Sequence, residues 1–349
     1  MTRSGINQRK AIARAIERWF NLNARDLPWR GDRDGYRALV SEAMLQQTQV
    51  ARVVESFDAF LERFPNVRAL AEADEQSVLA AWKGLGYYRR ARHLHAAAKA
   101  IVERHAGQVP DDAKALVALP GVGRYTAGSV ASIVFGERAP IVDGNVRRVL
   151  ARVHGREDDG AALERWCWEE SAALVEAADD PGSLNEGLME LGATVCAPRN
   201  PACGQCPVAK WCEAKATGRQ DVIPRPKKAS ARTVVHHHCV LIERGDRVLI
   251  EQRPMTGLWA GMWQPPTVEA DRELEEEAMR TELKVKVERI ELRGRFTHIT
   301  THREVRFHVH RATTRARHGI WRSRDELHET PMSNAHRKAL AYLNGPRLS

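Results

Sequence analysis

The spacing of apolar residues changes once along this chain, and that change constrains the fold more than any other feature. From about Ile6 to Ala216 the apolar residues recur at helical spacing, in Ala-rich segments such as 76–83 and 91–105 that alternate with short Gly/Pro turns. A different texture begins at Thr233, where TVVHHHCVLIE and RVLIEQR flank Arg244-Gly245-Asp246, a hairpin signal. Strand-like runs follow at 284–292 and 304–311, after a charged helical stretch at 272–280. Between the two textures, TGRQDVIPRPKKASAR (217–232) holds two prolines, five basic residues and one acid, so it reads as an exposed linker able to lie along phosphates. A single core rarely extends over 349 residues. The expected organisation is therefore a mainly α domain over 1–216, a linker over 217–232 and an α+β domain over 233–349.

Lys and Arg outnumber Asp and Glu by 54 to 45, and the net charge of +9 favours a polyanionic partner, nucleic acid above all. Apolar residues at 43%, spread throughout, exclude a disordered chain. No apolar run approaches the roughly 20 residues that cross a bilayer. The opening MTRSGINQRKAIARAIERWF reads as an amphipathic helix without a signal-peptide core. The expectation is a soluble, cytoplasmic monomer with no membrane partner.

Cys196, Cys203, Cys206 and Cys212 are spaced C-x6-C-x2-C-x5-C, so their four thiolates can converge on one metal centre. Disulfides fit poorly with a cytoplasmic chain. Spacing alone leaves structural zinc and an iron–sulfur cluster equally open. Cys167 and Cys239 stand outside the set and read as ordinary buried residues. The spacing resembles the [4Fe-4S] loop of the endonuclease III and adenine glycosylase families. That resemblance implies a [4Fe-4S] cluster on the loop 196–212, structural or DNA-contacting, with Arg199 and Lys210 where the loop can meet phosphate.

LVALPGVGRYTAGSVASIVF (116–135) reads as helix, Gly-rich turn and second helix. Gly121, Val122 and Gly123 leave room for backbone N–H groups to approach a phosphate at the second helix's N-terminus. The segment 111–135 resembles the helix–hairpin–helix of DNA repair glycosylases. Beyond it, in Pro-Ile-Val-Asp-Gly-Asn-Val-Arg-Arg, Asp143 is placed to cap the helix beginning near Gly144, which by itself explains an Asp there. The resemblance gives it a second role, an anion facing the sugar cation that forms as a base leaves, with Asn145 orienting it. Bifunctional endonuclease III types carry a lysine in the hairpin helix where this chain has Tyr125. A phenol forms no Schiff base, so the resemblance implies a monofunctional enzyme that uses water.

In SEAMLQQTQV, Glu42 stands on an apolar, amide-bearing helix with no adjacent charge. By itself it reads as a helix-surface glutamate. The run resembles the adenine DNA glycosylase signature, in which this glutamate protonates the departing base; endonuclease III relatives usually lack an acid here. A carboxyl that keeps its proton near neutrality needs a dry pocket. Glu42 protonated and Asp143 ionised would divide the labour as in glycoside hydrolysis. Arg30, in DLPWR, and Glu190, in GLMELGA, resemble positions lining the flipped-adenine pocket, or else belong to a surface ion pair. Gln47 and Thr48 resemble residues that fill the gap left by the base. Leu85 and Tyr87, in GLGYYRR, occupy a sharp turn, and Tyr87 resembles the aromatic wedge that enters the base stack.

GLWAGMWQPP (257–266) resembles the Nudix-like C-terminal domain of adenine glycosylases. The acidic run 272–277 looks like the core of a Nudix metal helix, but Leu258, Gln264 and Met279 stand where the remaining glycines and glutamate belong, which argues against pyrophosphatase activity. Phe296, Thr297 and His298 resemble the loop that recognises 8-oxoguanine in the partner strand. His302, His308 and His310 show no convergent spacing, so no metal is expected there. The fold expected is a mainly α helix–hairpin–helix glycosylase domain with an iron–sulfur loop, plus a Nudix-like α+β domain. The function expected is excision of adenine opposite 8-oxoguanine or guanine in double-stranded DNA. A bifunctional pyrimidine-lesion glycosylase, a non-catalytic damage-binding module and a nucleotide pyrophosphatase are the alternatives.

Overall fold

The computed structural model describes residues 3–225 and 231–344. Residues 226–230, in the expected linker, lie outside the described residues. The described residues divide into two units, one holding 3–73 with 92–225, the other Asp74–Ala91 with 231–344. No helix among the described residues is long and apolar enough to cross a membrane.

The N-terminal part of the chain is helical: α1 (Arg3–Asn23), α2 (Gly35–Leu45), α3 (Val50–Arg63), α4 (Val67–Glu72), α5 (Glu75–Ala81), α6 (Arg89–Arg104), α7 (Ala113–Val117), α8 (Arg124–Phe135), α9 (Gly144–Val153), α10 (Gly160–Ala177), α11 (Pro181–Thr194) and α12 (Glu213–Ala216). Many of these helices begin where the sequence supplies an aspartate. Asp34, Asp112, Asp143 and Asp180 each accept a backbone N–H of the helix they precede. Each such cap contributes about 1 kcal/mol and fixes where its helix starts. Ile12 and Ile16 of α1, Val146 and Leu150 of α9, Cys167 of α10 and Leu188 and Leu191 of α11 belong to one buried core. Gly128 brings α8 against the chain leading to Asp143, since a Cβ there would stand 2.4 Å from the Pro140 carbonyl oxygen. Gly192 does the same between α11 and α9, where a Cβ would meet Asn145 at 2.6 Å. Two residues without side chains thus draw three helices and one loop together. The start of the expected linker is largely exposed, but one residue anchors it: Ile223 is buried, and its carbonyl accepts Nε of the buried Arg152 at 2.9 Å.

The second unit is a mixed sheet of β1 (Thr233–Arg244), β2 (Arg247–Gln252), β3 (Trp263–Gln264), β4 (Thr267–Ala270), β5 (Ile290–Ile299), β6 (Arg303–Ala312) and β7 (Ile320–Ser323), with α13 (Glu276–Glu282), α14 (Arg324–Glu329) and α15 (Asn334–Leu340). The path is β3-β2-β1-β6-β5, with β4 beside β1 and β7 beside β2. The β1–β2 hairpin turns at Gly245, whose φ is +61°. β1 and β6 run parallel, Cys239 opposite Val309. Buried on both faces, β1 separates two cores, one with Cys239, Leu241, Phe307 and Val309, the other with Val240, Ile242, Val268 and Met279. Two expectations shift. The helix expected at 272–280 covers only Glu276–Glu282. The strand expected at 284–292 begins at Ile290, although Glu288 N–H and the Arg289 carbonyl already bond the Thr313 backbone just before it. Residues 74–91 also belong here: Gln76 Oε1 accepts the Trp263 indole at 3.1 Å, and the Tyr88 hydroxyl donates to the Met332 carbonyl at 3.4 Å.

Candidate active site

A cavity of about 590 Å³ opens in the first unit, and Glu42, Tyr125, Asp143, Asn145, Arg30 and Glu190 all line it, with Gln47 and Thr48 on its wall. Glu42 comes from α2, Tyr125 from the first turn of α8, Asp143 and Asn145 from the start of α9, and Glu190 from α11. The glutamate that reads as a surface residue is buried, 8% exposed, because α2 packs against α8 over that face. Its Oε1 accepts the Ser129 hydroxyl at 2.6 Å, and Tyr125 is its other side-chain partner. Burial pushes the Glu42 carboxyl up to about 7, against the lowering effect of these two hydroxyls and with help from the negative Asp143 and Glu186.

Asp143 is both a cap and a member of the site. One carboxyl oxygen accepts Val146 N–H at 2.7 Å and the other accepts the Asn145 amide at 3.0 Å. Burial raises this carboxyl as well, while those two donors and the charge of Arg148 hold it down. Arg148 in turn donates to Asn145 Oδ1 at 2.8 Å and to the Cys196 carbonyl at 2.8 Å. The Tyr125 hydroxyl donates to Met189 Sδ at 3.0 Å, and burial lifts its phenol well above 10, so it stays neutral.

One wall of the cavity is an ion network built on two buried carboxylates. Glu190 takes Arg25 Nε at 2.6 Å and Arg30 Nη2 at 3.0 Å. Glu186, one helical turn earlier on the same face of α11, takes Arg30 Nε at 3.1 Å and Arg33 Nη2 at 2.9 Å. Burial drives Glu190 upward, but its two guanidinium partners outweigh it and leave the carboxyl lowered. Arg30 and Glu190 are thus neither free surface groups nor a lone pair. Ser129, Glu186, Arg25 and Met189 are the residues that sequence reasoning missed. Only the Glu186–Glu190 spacing carried a signal, two acids at i, i+4 in an otherwise apolar helix.

In the hairpin, Gly121 has φ +74° and Gly123 is the N-cap of α8, with Val122 between them. Leu85 is an interior residue at 4% exposure, whereas Tyr87 is 49% exposed with φ +46°. The Trp82 indole holds the Gly86 carbonyl at 3.1 Å, and the Tyr87 hydroxyl meets Thr301 Oγ1 at 2.8 Å. Phe296, Thr297 and His298 lie in strand β5, not in a loop, because their alternation suits a pleated edge: Phe296 stacks on Phe307 at 4.7 Å and His298 faces Trp259 at 5.7 Å, while Thr297 points to solvent.

The four cysteines surround a small pocket between α9 and the loop after α11, closed by Val149, Val153, Leu191 and Val195. None is in a disulfide. No group of three or more His, Cys, Asp or Glu side chains among the described residues closes around a single ion. Four thiols spread around a dry pocket fit a multi-iron cluster better than one zinc ion. Buried Arg152 donates to Cys196 Sγ at 3.4 Å and to the Ala197 carbonyl at 2.7 Å, a donor suited to thiolate charge. Lys210 lies over the Trp211 ring at 4.1 Å.

Comparison with known proteins agrees with this arrangement. The family of HhH-GPD superfamily base excision DNA repair proteins matches residues 40–171, the iron–sulfur binding domain of endonuclease III matches 196–212, and the NUDIX domain matches 237–342. In solved structures, a thermostable thymine-DNA glycosylase resembles it at TM-score 0.55 and 31% identity, over 60% of this chain and 98% of that one. An endonuclease III in a non-covalent DNA complex, 22% identical at TM-score 0.50 over 60% of this chain and 97% of its own, shares the fold. Fold and site define a helix–hairpin–helix DNA N-glycosylase with a [4Fe-4S] loop. Adenine DNA glycosylase of Homo sapiens is 33% identical over 94% of this chain and 73% of its own, and that of Mycobacterium tuberculosis is 44% identical over 62% and 71%. This chain belongs to the adenine DNA glycosylase family and acts in base excision repair.

Proposed function

We propose that the protein hydrolyses the N-glycosidic bond of adenine paired with 8-oxoguanine or guanine, by acid catalysis from Glu42 with Asp143 steadying the sugar. The observation that carries this reading is that a carboxyl held near neutrality and a second, hydrogen-bonded carboxylate line one cavity beside the hairpin helix. Glu42 gives its proton to N7 of the extruded base, which makes the purine a better leaving group. The C1′–N9 bonding pair leaves with the adenine. Asp143, oriented by Asn145, faces the cationic sugar until water adds at C1′. The proton that this water releases restores Glu42. Tyr125 is neutral and offers no amine, so no Schiff base to the sugar forms and the product is an abasic site. Arg30, Glu190 and Glu186 present a fixed polar wall to the base, with Gln47 and Thr48 at the mouth.

Gly121, Val122 and Gly123 receive a phosphate at the N-terminus of α8. Tyr87, exposed on a strained turn, is the wedge, with Leu85 anchoring that turn from within, and Thr297 with Phe296 and His298 reads the partner base from strand β5. The protein works as a monomer, and the iron–sulfur cluster, held by Cys196, Cys203, Cys206 and Cys212, shapes the loop and does no chemistry on the base.

A single-turnover assay on an 8-oxoguanine:adenine duplex, developed with alkali, tests the reading. Glu42→Gln is expected to lower release by a factor on the order of 10³ with duplex binding intact. Near-normal release by that variant would sink it, as would efficient borohydride capture of the wild-type protein on DNA.

A further inference from the structure

Glu42 has a partner whose role reaches beyond packing. Ser129 sits on α8, is 1% exposed, and places Oγ 2.6 Å from Glu42 Oε1. Ser129 Oγ has no other partner among the hydrogen bonds described, whereas nearby Ser132 turns its hydroxyl to the Gly128 carbonyl at 2.7 Å, the usual outlet for a helical serine. Ser129 forgoes that outlet and reaches across to α2.

We propose that Ser129 is a positioning residue that fixes which carboxyl oxygen of Glu42 carries the catalytic proton. A neutral carboxylic acid has one hydroxyl and one carbonyl oxygen. A hydroxyl donating to Oε1 makes Oε1 the carbonyl and leaves the proton on Oε2. The Tyr125 phenol, the other side-chain partner of Glu42, works in the same direction as Ser129, holding the carboxyl down, and also meets Met189 Sδ at 3.0 Å. With Glu42 only 8% exposed, the Ser129 bond holds the carboxyl in one rotamer and one protonation geometry before the base arrives.

The other titratable groups around Glu42 are Tyr125 from α8, Asp143 at the start of α9 and Glu186 from α11, and Arg30 and Glu190 lie further along the same cavity. Asp143 and Glu186 favour the protonated acid, and Ser129 and Tyr125, by hydrogen bonding, favour the ionised one. Removing the serine hydroxyl therefore has two separable consequences: the acid holds its proton to higher pH, and it presents that proton less well.

This inference rests on Glu42 being the acid, and the experiment separates the two. Adenine release by full-length Ser129→Ala, cluster in place, is followed in single turnovers from about pH 5.5 to 9, and the carboxyl stretch of DNA-free protein is read by infrared difference against Glu42→Gln. The expected result is an alkaline limb moved up by about half a pH unit or more and a low-pH plateau about fivefold lower, with the infrared titration of Glu42 moving the same way. A pH profile and infrared titration superimposed on wild type would overturn the proposal. A shift to lower pH would overturn it too, since the hydroxyl would then be accepting the proton instead of donating. If Glu42→Gln releases adenine normally, the acid assignment itself fails; if it is inactive while Ser129→Ala matches wild type, only the role of Ser129 fails. The infrared titration needs no turnover, so a loss of DNA binding does not obscure it.

Discussion

Both units bury titratable side chains, and they do so to opposite ends. In the first unit, Glu42, Asp143, Glu186 and Glu190 face a cavity, and their neighbours differ enough that burial drives Glu42 to about 7 while Arg25 and Arg30 bring Glu190 below its ordinary value. In the second, His236, His238, His308 and His310 line one face of β1 and β6 and hydrogen-bond to one another in pairs. There the hydrogen bonds fix every tautomer. Leu274 N–H donates to His238 Nε2 at 3.1 Å, so His238 Nδ1 carries the proton and donates to His310 Nε2 at 3.3 Å. Arg295 Nε donates to His308 Nδ1 at 3.3 Å, so His308 Nε2 donates to His236 Nδ1 at 2.9 Å. Burial is the largest influence on His238 and His310, holding both down at about 4. A buried ionisable group by itself thus says little about chemistry. What distinguishes the glycosylase site is a space for a substrate and carboxyls pushed apart by unlike surroundings.

The sharpest way to break that contrast is pH. Release that depends on protonated Glu42 should hold level below about 7 and fall tenfold for each pH unit above it, about a hundredfold by pH 9. A flat profile in single turnovers would remove the reason for treating the Glu42 environment as special. The next largest effect concerns the wall of the cavity. Glu190→Ala leaves Arg25 and Arg30 facing the cavity without their shared carboxylate, a loss on the order of 3 kcal/mol in denaturant unfolding. A loss below about 1 kcal/mol would mean the network is as solvated as an ordinary surface pair.

The contrast also explains what could be read before the fold was known. The change from helical to alternating spacing between Ala216 and Thr233, the cysteine spacing and the Asp143 cap are local signals, written in neighbouring residues, and each has its counterpart in the fold. The cavity wall is not local. Ser129 meets Glu42 across 87 positions and Arg25 meets Glu190 across 165, so neither pairing leaves a trace in spacing. Glu42 itself read as a helix-surface acid until α8 was seen to cover it. The segment 296–298 misled for a different reason. Its aromatic–hydroxyl–histidine order reads equally well as a turn or as an alternating strand, and only the nine-residue pairing with β6 decides between them.

The smallest expected effect lies in the histidine face, and it should be seen in stability, not in catalysis. Above about pH 6.5 His238 and His310 are neutral in both folded and unfolded chains, so their burial costs the sheet nothing. As the pH falls from about 6.5 toward 4, the unfolded chain takes up protons that His238 and His310 refuse while folded, and stability is lost across that window, by a few kcal/mol at most. His310→Phe removes one of these titrations and should flatten the slope measured by urea unfolding between pH 6.5 and about 4.5, while adenine release at pH 7 stays within about twofold of wild type. A slope identical to wild type would show that His310 is protonated as readily in the sheet as in the unfolded chain, and a large loss of release would show that this face is coupled to the cavity after all. The row of fixed tautomers argues for neither. The two protons shared between histidines already have one donor and one acceptor within this face, so they have no stake in a reaction elsewhere.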